Sequence, residues 1–411
     1  MKITILTQEY APEEISSAVL SQELAEDLAT QGHQVTVVTR APNYPQGKVF
    51  PGYRNSLFQS EFVNHVRVIR VWSYITPHKE FWHRILSFGT YSLFAIFGAL
   101  LAGKPDILMA YSPPLPLGVS GWLVSWFFRI PWILRVEDLY PEAAVAAGVL
   151  KNQHVIRFFD RMAHFLYQRA THISLITDGF RRILLRKGVP EQKMSVTPVW
   201  ADPDFVRPQP KHNRFRERHG FDGKAIVMYA GVLGLTSSLE DVIEAAKLLE
   251  EAKHIQFVIV GEGVKKQWIQ EFIQANGVKN VTLLPFQPRA EFPEMMAAAD
   301  LNLVTLNQAL AEFALPHKIF NIMASERAIL AIAPPQSDLA TLITQHACGV
   351  VVPPNHPQTL ANTISTLITQ PEVLKTMGGN GRNVLLKHFS RSLCTKTFDD
   401  LFQRVARSSS N

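Results

Sequence analysis

Cysteine is almost absent from this chain. Its 411 residues include two cysteines, Cys348 and Cys394, which are too few for a disulfide framework or a thiolate zinc cluster. We do not expect the N-terminus to be a secretory signal, because its apolar run is short and acidic residues follow it within the segment MKITILTQEYAPEE. We therefore expect a protein of a reducing compartment, the cytoplasm, whose first residues form a buried strand.

Compact basic motifs are also lacking, although the formal net charge is +6 and the sequence pI is about 9.2. Dispersed lysines and arginines argue against nucleic acid as the partner. The excess of positive charge instead favours smaller anions, such as nucleotides and phosphates, or acidic lipid surfaces. With 47% hydrophobic and 18% charged residues, the chain has the composition and length of two ordinary α/β domains.

Uninterrupted apolar runs long enough to cross a bilayer are not evident. The two most apolar segments, residues 81–101 and 118–128, are rich in aromatics and bordered by basic residues, and we expect the first to fall short of the roughly 18 to 20 residues required. Three interpretations stay open, namely a buried helix, an interfacial helix that touches the membrane, and a transmembrane span. The aromatics with basic flanks keep the interfacial interpretation in play.

The first part of the chain alternates strands with helices. Residues 2–6 and 34–39 read as strands, with a helix between them marked by Leu20, Leu24 and Leu28. This βαβ unit is how a doubly wound domain starts, and it brings residues 13–17 to the carboxyl end of the first strand, where ligands bind in such sheets. Glu13, Ser16 and Ser17 are therefore candidates for an acceptor or phosphate loop. Capping of the next helix is the competing role for the serines.

Carboxylates follow another buried strand, residues 132–136. Glu137, Asp138 and Glu142 come directly after it, and carboxylates at the end of a central strand are costly unless they are solvated, paired or used. We take Asp138 as the main catalytic candidate, with Glu137 beside it. The alternative is that the two acids cap the helix that follows.

A segment dense in proline, residues 199–214, predicts a linker, and a second series of strands follows at 225–230, 281–284, 301–305 and 349–352. After residues 225–230 comes a loop with Gly231 and Gly234, and Ser237 with Glu240 predicts a capping box at the next helix. A strand, glycine loop and helix start of this kind can hold a diphosphate, although two glycines are a weak signal. Asp202 and Asp204 in the linker suggest a metal-binding pair or a turn, and we expect the turn.

The segment 312–333 reads as a loop, a short helix and a strand. Pro316 suits the first turn of the helix, so His317 and Lys318 stand where the helix dipole is already positive. A bound phosphate removes this conflict, and Asn321, one turn later, suits a sugar or ribose hydroxyl. Solvated surface residues are the competing interpretation.

Taken together, these motifs resemble the glycosyltransferase family 4 group over nearly the whole chain. The matching segments are ITILTQEYAPE, YAGVLGLTSSLEDVIEAAKLL, VIVGEG, LLPFQPRAEFPEMMAAADLNLV, MASERAILAIA and GVVVPP. The resemblance is greatest to the branch that builds bacterial O-antigen and capsule, including amino-deoxy-sugar transferases. It implies an α/β fold of two doubly wound Rossmann-like domains facing across a cleft, the GT-B arrangement. Residues 1–200 would bind the acceptor and 201–389 the donor, and a helix at about 390–411 would pack back on the first domain.

The resemblance also implies the chemistry. A nucleotide-sugar donor, expected to be UDP-linked, would transfer its sugar with retention to a lipid-diphosphate-linked saccharide at the inner face of the membrane, without a metal or other cofactor. Lys318 and His317 would contact the donor diphosphate, and Asn321 would contact the ribose. The residues expected near the nucleobase are Glu262, Phe286 and Gln287.

This chain departs from the family pattern at several positions. Ser16 and Ser17 replace paired glycines, the usual basic residues are missing near Leu235 and Thr236, and Asn321 replaces a glutamate, as does Phe313. Lost basic residues remove charge that would balance the diphosphate. Two alternatives therefore stay open, a nucleotide-sugar epimerase of the same fold and a catalytically degenerate nucleotide-sugar-binding or scaffold protein.

Overall fold

Strands and helices follow one another along the described part of the chain in the computed structural model, which describes residues 1–78, 80–234 and 237–408. The chain forms two compact units, the first made of Met1–Val199 together with the segment from Ser392 onward, and the second of Trp200–Arg391. Both units are built on a mainly parallel sheet flanked by helices, which confirms the predicted doubly wound α/β class.

The first unit contains an eight-stranded sheet in the order β3-β4-β2-β1-β5-β6-β7-β8. Its strands are parallel except at the edge, where β3 runs antiparallel to β4. The bounds are β1 (Lys2–Leu6), β2 (Gln34–Arg40), β3 (Phe58–Val63), β4 (Val66–Val71), β5 (Ile107–Ser112), β6 (Trp132–Val136), β7 (His172–Leu175) and β8 (Met194–Val196). β1, β5 and β6 are adjacent, so their carboxyl ends lie side by side.

The helices of this unit are α1 (Ser16–Thr30), α2 (Phe81–Ala102), α3 (Leu115–Phe128), α4 (Glu142–Ala146), α5 (Gln153–Arg169) and α6 (Asp178–Arg186). The expectation that the first apolar segment is too short to cross a bilayer is wrong, because α2 has 22 residues. Within the described part of the chain, Trp82–Ala102 is long enough and apolar enough to span a membrane. One face of α2 nevertheless packs on β2 and β4, and the Tyr91 hydroxyl donates to the Thr7 and Val38 carbonyls at 2.6 and 2.9 Å.

The second unit has a six-stranded, entirely parallel sheet in the order β11-β10-β9-β12-β13-β14. Its strands are β9 (Ala225–Ala230), β10 (Ile255–Val260), β11 (Val281–Leu284), β12 (Leu301–Thr305), β13 (Ala328–Ile332) and β14 (Gly349–Val352). Its helices are α7 (Arg214–His219), α8 (Leu239–Leu248), α9 (Lys266–Asn276), α10 (Phe292–Ala298), α11 (Lys318–Ala324), α12 (Asp338–Gln345), α13 (Pro357–Ile368) and α14 (Pro371–Val384). The strand order reverses at β9 and β12, and ligands bind at such a switch point in open α/β sheets.

None of the three helix-capping roles considered from the sequence, at α1, α8 and α4, is observed. α1 begins at Ser16 without a side-chain cap, and the Ser17 hydroxyl donates to Glu9 instead. α8 likewise has no side-chain cap, since Ser237 bonds near Tyr229. α4 follows Pro141, and neither Glu137 nor Asp138 caps it.

The Asp202 carboxylate confirms the predicted turn. One oxygen accepts from the Asp204 and Phe205 amides at 2.9 and 3.1 Å, and the other pairs with Arg391 at 3.2 Å. A carboxylate that satisfies its own backbone in this way forms an Asx turn. The turn fixes the chain where it enters the second unit.

The C-terminal helix α15 (Arg391–Ser408) lies within the segment at about 390–411 where the family resemblance implies a helix. From Ser392 onward it belongs to the first unit. Phe398 is fully buried there, and the Arg135 guanidinium lies 5.0 Å from the centre of its ring. α15 therefore adds to the core beneath β6.

Candidate active site

Two neighbouring turns at the carboxyl ends of β9 and β10 approach each other closely enough to require glycine. A Cβ on Gly261 would lie 1.9 Å from the Gly231 carbonyl oxygen, and one on Gly263 would lie 2.3 Å from that of Leu233. Backbone hydrogen bonds link the turns, from Gly231 N to Val260 O and from Leu233 N to Glu262 O, both at 2.9 Å. We call residues 231–234 with 237 and 238 the glycine loop. Leu235 and Thr236, where the sequence departs from the family pattern, lie outside the described residues.

Lys318, the first residue of α11, reaches the start of the glycine loop. Its Nζ lies 3.7 Å from the centre of the Tyr229 ring, and a Cβ on Gly231 would come within 2.5 Å of the same atom. Burial alone would raise the pKa of the Tyr229 phenol, but the Lys318 charge and a hydrogen bond to Ser237 outweigh it and lower that pKa. The ammonium is thus brought to the carboxyl edge of β9, the central strand at the switch point.

The rest of segment 312–333 follows the prediction with one correction. α11 begins at Lys318 with His317 as its N-cap residue, so Pro316 precedes the helix and does not lie in its first turn. The helix has only seven residues, so its dipole is weaker than the prediction assumed. Asn321 is partly buried on α11. His317 and Asn321 are both near Lys318 in sequence and remain predicted donor contacts.

The residues predicted for the nucleobase lie after neighbouring strands. Glu262 follows β10 and pairs with Lys266 at 2.7 Å, so its charge is partly balanced. Phe286 follows β11 with 42% of its surface exposed, and the Gln287 side chain donates to the Pro285 carbonyl at 2.9 Å. Because β9, β10 and β11 are adjacent, these residues, Gly231 and Gly234 share one edge of the sheet.

In the first unit, Glu137 and Asp138 follow β6 as predicted. Glu137 lies 3.6 Å from Arg135, a guanidinium that is 1% exposed and also donates to the Thr197 carbonyl at 2.6 Å. Burial raises the pKa of Glu137, the Arg135 charge opposes that rise, and Glu9 adds to it. Burial, together with the charge of Glu137, raises the pKa of Asp138 to about 7. Asp138 therefore changes protonation state near neutral pH, which suits a general acid or base.

The residues after β1 are engaged with one another. Both hydrogen bonds to the Glu13 Oε1 atom, from the Asn43 and Tyr44 amides, are 2.8 Å long, and burial raises the pKa of this carboxyl. Ser17 is bonded to Glu9, while Ser16 opens α1. Glu13 thus anchors the loop after β2. Its role, and that of the serines, near an acceptor stays a prediction.

Sequence reasoning missed three residues that the fold brings to these sites. Glu9 follows β1 and influences the pKa of both Glu13 and Glu137. Tyr229 supports Lys318, and Lys265 donates to the Ser237 carbonyl at 2.6 Å and pairs with Glu240 at 2.7 Å. One feature of the sequence could have indicated Tyr229. It is an aromatic residue in an otherwise aliphatic strand, two residues before Gly231.

Models of known protein families match both units of the chain. Residues 17–200 match the model described as "Glycosyl transferase 4-like domain", and residues 211–384 match "Glycosyl transferases group 1". This chain is a glycosyltransferase, with a family 4-like domain followed by a group 1 domain. Its fold is the two-domain GT-B type that the motifs predicted.

Individual proteins agree with this assignment. The glycosyltransferase is 26% identical over 389 residues to WcaI of Escherichia coli (strain K12), whose name places it in colanic acid biosynthesis, with 90% of this chain and 93% of WcaI covered. It is 25% identical over 323 residues to the glycosyltransferase WbjE of Pseudomonas aeruginosa, covering 77% and 80%. Among solved structures, Anabaena HepE in complex with UDP-glucose superposes with a TM-score of 0.74 at 16% identity, covering 98% and 100%.

Proposed function

We propose that this glycosyltransferase moves a sugar, with retention of configuration, from a UDP-linked donor to a lipid-diphosphate-linked saccharide during assembly of a cell-surface polysaccharide. The observation that carries the proposal is the Lys318 ammonium beside Gly231, at the carboxyl edge of β9. A cation fixed next to a glycine turn provides what a diphosphate needs, a charge-assisted contact and room for close approach of the backbone.

Charge stabilisation of the leaving nucleoside diphosphate is the main catalytic task in this proposal. The diphosphate gains negative charge as the bond to the sugar breaks, so a positioned ammonium stabilises the transition state more than the ground state. His317 and Asn321 are proposed to contact the diphosphate and ribose, and Glu262, Phe286 and Gln287 to surround the base. Asp138, with its pKa of about 7, is proposed to act on the acceptor hydroxyl.

The relatives support the donor and the pathway. HepE has been solved with UDP and with UDP-glucose, and WcaI is named for colanic acid, a polysaccharide. The family descriptions and the name of WcaI denote transfer, which favours a transferase over an epimerase.

Binding and product analysis test the proposal together. Calorimetric titration with UDP, ADP and GDP, and then with sugar derivatives of the tightest binder, identifies the donor. Proton NMR of the product then gives the anomeric configuration. We expect UDP and one UDP-sugar to bind most tightly, and the product to keep the anomeric configuration of the donor. An inverted product would contradict retention, and saturable binding without any product would favour a non-catalytic binding protein.

A methyl group at Gly231 should weaken donor binding. In Gly231→Ala the new Cβ would meet Lys318 Nζ at 2.5 Å, and because that atom ends a flexible side chain, the ammonium moves rather than the backbone. The backbone φ of +149° adds strain of about 1–3 kcal/mol. We expect UDP affinity to fall roughly tenfold, a change of about 1.4 kcal/mol, as measured by calorimetry.

Gly277→Ala is the matched control for this variant. Gly277 has a φ of +65° and nothing within 4 Å of an added Cβ, so alanine there introduces backbone strain alone. The control should lower the melting temperature and leave UDP affinity unchanged. If Gly231→Ala binds UDP as tightly as the parent protein does, Lys318 does not belong to the donor site.

Exposed apolar side chains on α2 and α3 support the proposed contact with the inner membrane. The helices pack against each other, and seven large hydrophobic side chains on them are exposed. These are Trp82, Leu86, Leu93, Phe97, Leu101, Trp126 and Phe127. Exposed Arg84, Lys104 and Arg129 lie on or beside the same helices, which suits an interface with anionic lipid. Because the opposite face of α2 packs on the sheet, we propose that α2 lies in the interface rather than across the bilayer.

Replacing Trp126 and Phe127 by serine should reduce membrane binding. Their side chains are 70% and 62% exposed, so the change removes apolar area without opening the core. We expect the double variant to bind vesicles of phosphatidylglycerol and phosphatidylethanolamine at least about tenfold more weakly in co-sedimentation at low salt. Leu248→Ser, 51% exposed in the second unit, is the control. Unchanged sedimentation of the double variant would exclude this surface as the membrane contact.

A further inference from the structure

Tyr229 is a buried aromatic residue with two separate contacts at the donor site. It is 1% exposed at the carboxyl end of β9. Its ring face carries the Lys318 ammonium at 3.7 Å from the ring centre. Its hydroxyl donates to the Val232 carbonyl at 2.9 Å and lies 3.1 Å from the Ser237 hydroxyl. One side chain thus touches both the cation and the glycine loop.

We infer that Tyr229 is a positioning residue that aims the Lys318 ammonium at the diphosphate and holds the glycine loop beside it. This inference rests on the proposed donor site. It goes further because it explains how one lysine can bind the diphosphate beside residues 231–238. The sequence of that segment contains no lysine, arginine or histidine.

The physical reason lies in the flexibility of lysine. An ammonium on a four-carbon chain is strongly hydrated and samples many rotamers, so much of its attraction to an anion is lost to ordering. An aromatic face beneath the cation holds it electrostatically and leaves its other side available to a ligand. Ordering the group before the ligand arrives improves affinity without adding a contact.

The second contact of Tyr229 fixes the backbone that the ammonium faces. Lys265 reinforces it, with its amide donating to the Leu233 carbonyl at 3.0 Å and its Nζ donating to the Ser237 carbonyl at 2.6 Å. The glycine loop is thereby tied at Val232, Leu233 and Ser237. A diphosphate contact needs the loop and the lysine in fixed relative positions, and Tyr229 is bonded to both.

A purely structural role for Tyr229 predicts a different result. Loss of a packing residue would lower the melting temperature and would weaken a nucleoside as much as its diphosphate. A positioning role acts mainly through Lys318, so it affects the diphosphate selectively and becomes much smaller when Lys318 is removed.

The test uses the full chain and compares UDP with uridine by calorimetry in Tyr229→Leu, Lys318→Ala and the double variant. We expect Tyr229→Leu to weaken UDP binding roughly 2- to 30-fold, the range of a cation–π contact, with uridine changed less than about twofold. In the Lys318→Ala background, Tyr229→Leu should weaken UDP much less than in the parent protein, because only the contact between its hydroxyl and the glycine loop then remains to be lost. Tyr229→Phe keeps the ring and should restore most of the UDP affinity.

Each other outcome is decisive. Equal losses for UDP and uridine, or full additivity of the two substitutions, would overturn the positioning role. If Lys318→Ala weakens UDP and Tyr229→Leu does not, the inference fails while the donor site stands. If Lys318→Ala leaves UDP binding unchanged, both fail. Should Tyr229→Leu not fold, as judged by circular dichroism, Tyr229→Met removes the ring, adapts to the space with a longer and more flexible side chain, and takes its place.

Discussion

Asp138→Asn should lower kcat by roughly 10²- to 10⁴-fold, the usual contribution of a positioned acid or base. The substitution keeps the shape of the side chain and removes its ability to take a proton. The donor is proposed to be bound by the second unit, so its KM should change little. Steady-state kinetics with the donor and a lipid-linked acceptor measure both quantities. Asp178→Asn, at a carboxylate 60% exposed on α6, is the control and should be fully active.

The pH dependence of the parent enzyme provides a second readout for Asp138. Its pKa of about 7 means that the carboxylate forms as the pH rises through neutrality. If the ionised form accepts the acceptor proton, kcat should rise with pH through about 7, and this rise should be absent from Asp138→Asn. A parent profile that falls across the same range would contradict the base role.

Stability should change in the opposite direction. Folding raises the pKa of Asp138 above its ordinary value of 3.8, so the folded protein favours the protonated side chain. The stabilisation is complete below the unfolded pKa and is lost as the pH rises through about 7. Asparagine mimics the neutral acid, so Asp138→Asn should melt at a higher temperature than the parent at pH 8. A lower melting temperature would indicate that lost activity reflects damage to the fold.

Lys318→Ala should weaken nucleoside diphosphate binding by about 1.5–3 kcal/mol, the range for a hydrogen bond to a charged group, or roughly 10- to 150-fold. The loss should be largest for the diphosphate and small for the nucleoside, because the ammonium is proposed to contact the diphosphate and not the nucleoside. kcat should also fall, since the same charge stabilises the leaving group.

Lys253→Ala is the control for Lys318→Ala, because this lysine of the same unit is 69% exposed and lies 3.7 Å from Glu251 at the surface. Its removal lowers the net charge equally. If both variants lose the same affinity, the effect is one of overall charge. Unchanged diphosphate affinity in Lys318→Ala would reject the diphosphate assignment.

Much of the fold was predictable, because buried parallel strands are short apolar runs between turn signals. β1, β6, β9, β11, β12 and β14 have the predicted bounds. β3 escaped prediction since it is an edge strand, FQSEFV, without an apolar run, and β8 has only three residues. The length of α2 was misjudged because a helix continues through single polar residues that interrupt an apolar run.

The sites were less predictable because the decisive contacts link segments distant in sequence. Lys318 was proposed as a donor contact from the residues around it in the sequence. Its contact with the Tyr229 ring, in contrast, depends on how α11 packs in the folded unit. Ser17 and Ser237 were expected to cap helices from local preference alone, whereas Glu9 and Tyr229 compete for their hydroxyls. Burial and the charge of Glu137 both raise the pKa of Asp138. The sequence shows that Glu137 is adjacent, but it does not show how deeply Asp138 is buried.

Transfer of radiolabelled sugar from a UDP-sugar into lipid-linked saccharide tests the central proposal most directly. The parent protein is incubated with the donor and an inner-membrane extract, and organic-soluble label and free UDP are measured together. We predict equal amounts of lipid-linked sugar and released UDP, both dependent on the extract and both strongly reduced in Lys318→Ala and Asp138→Asn. Release of UDP without label in the lipid, or no turnover despite tight UDP-sugar binding, would contradict the proposed transfer.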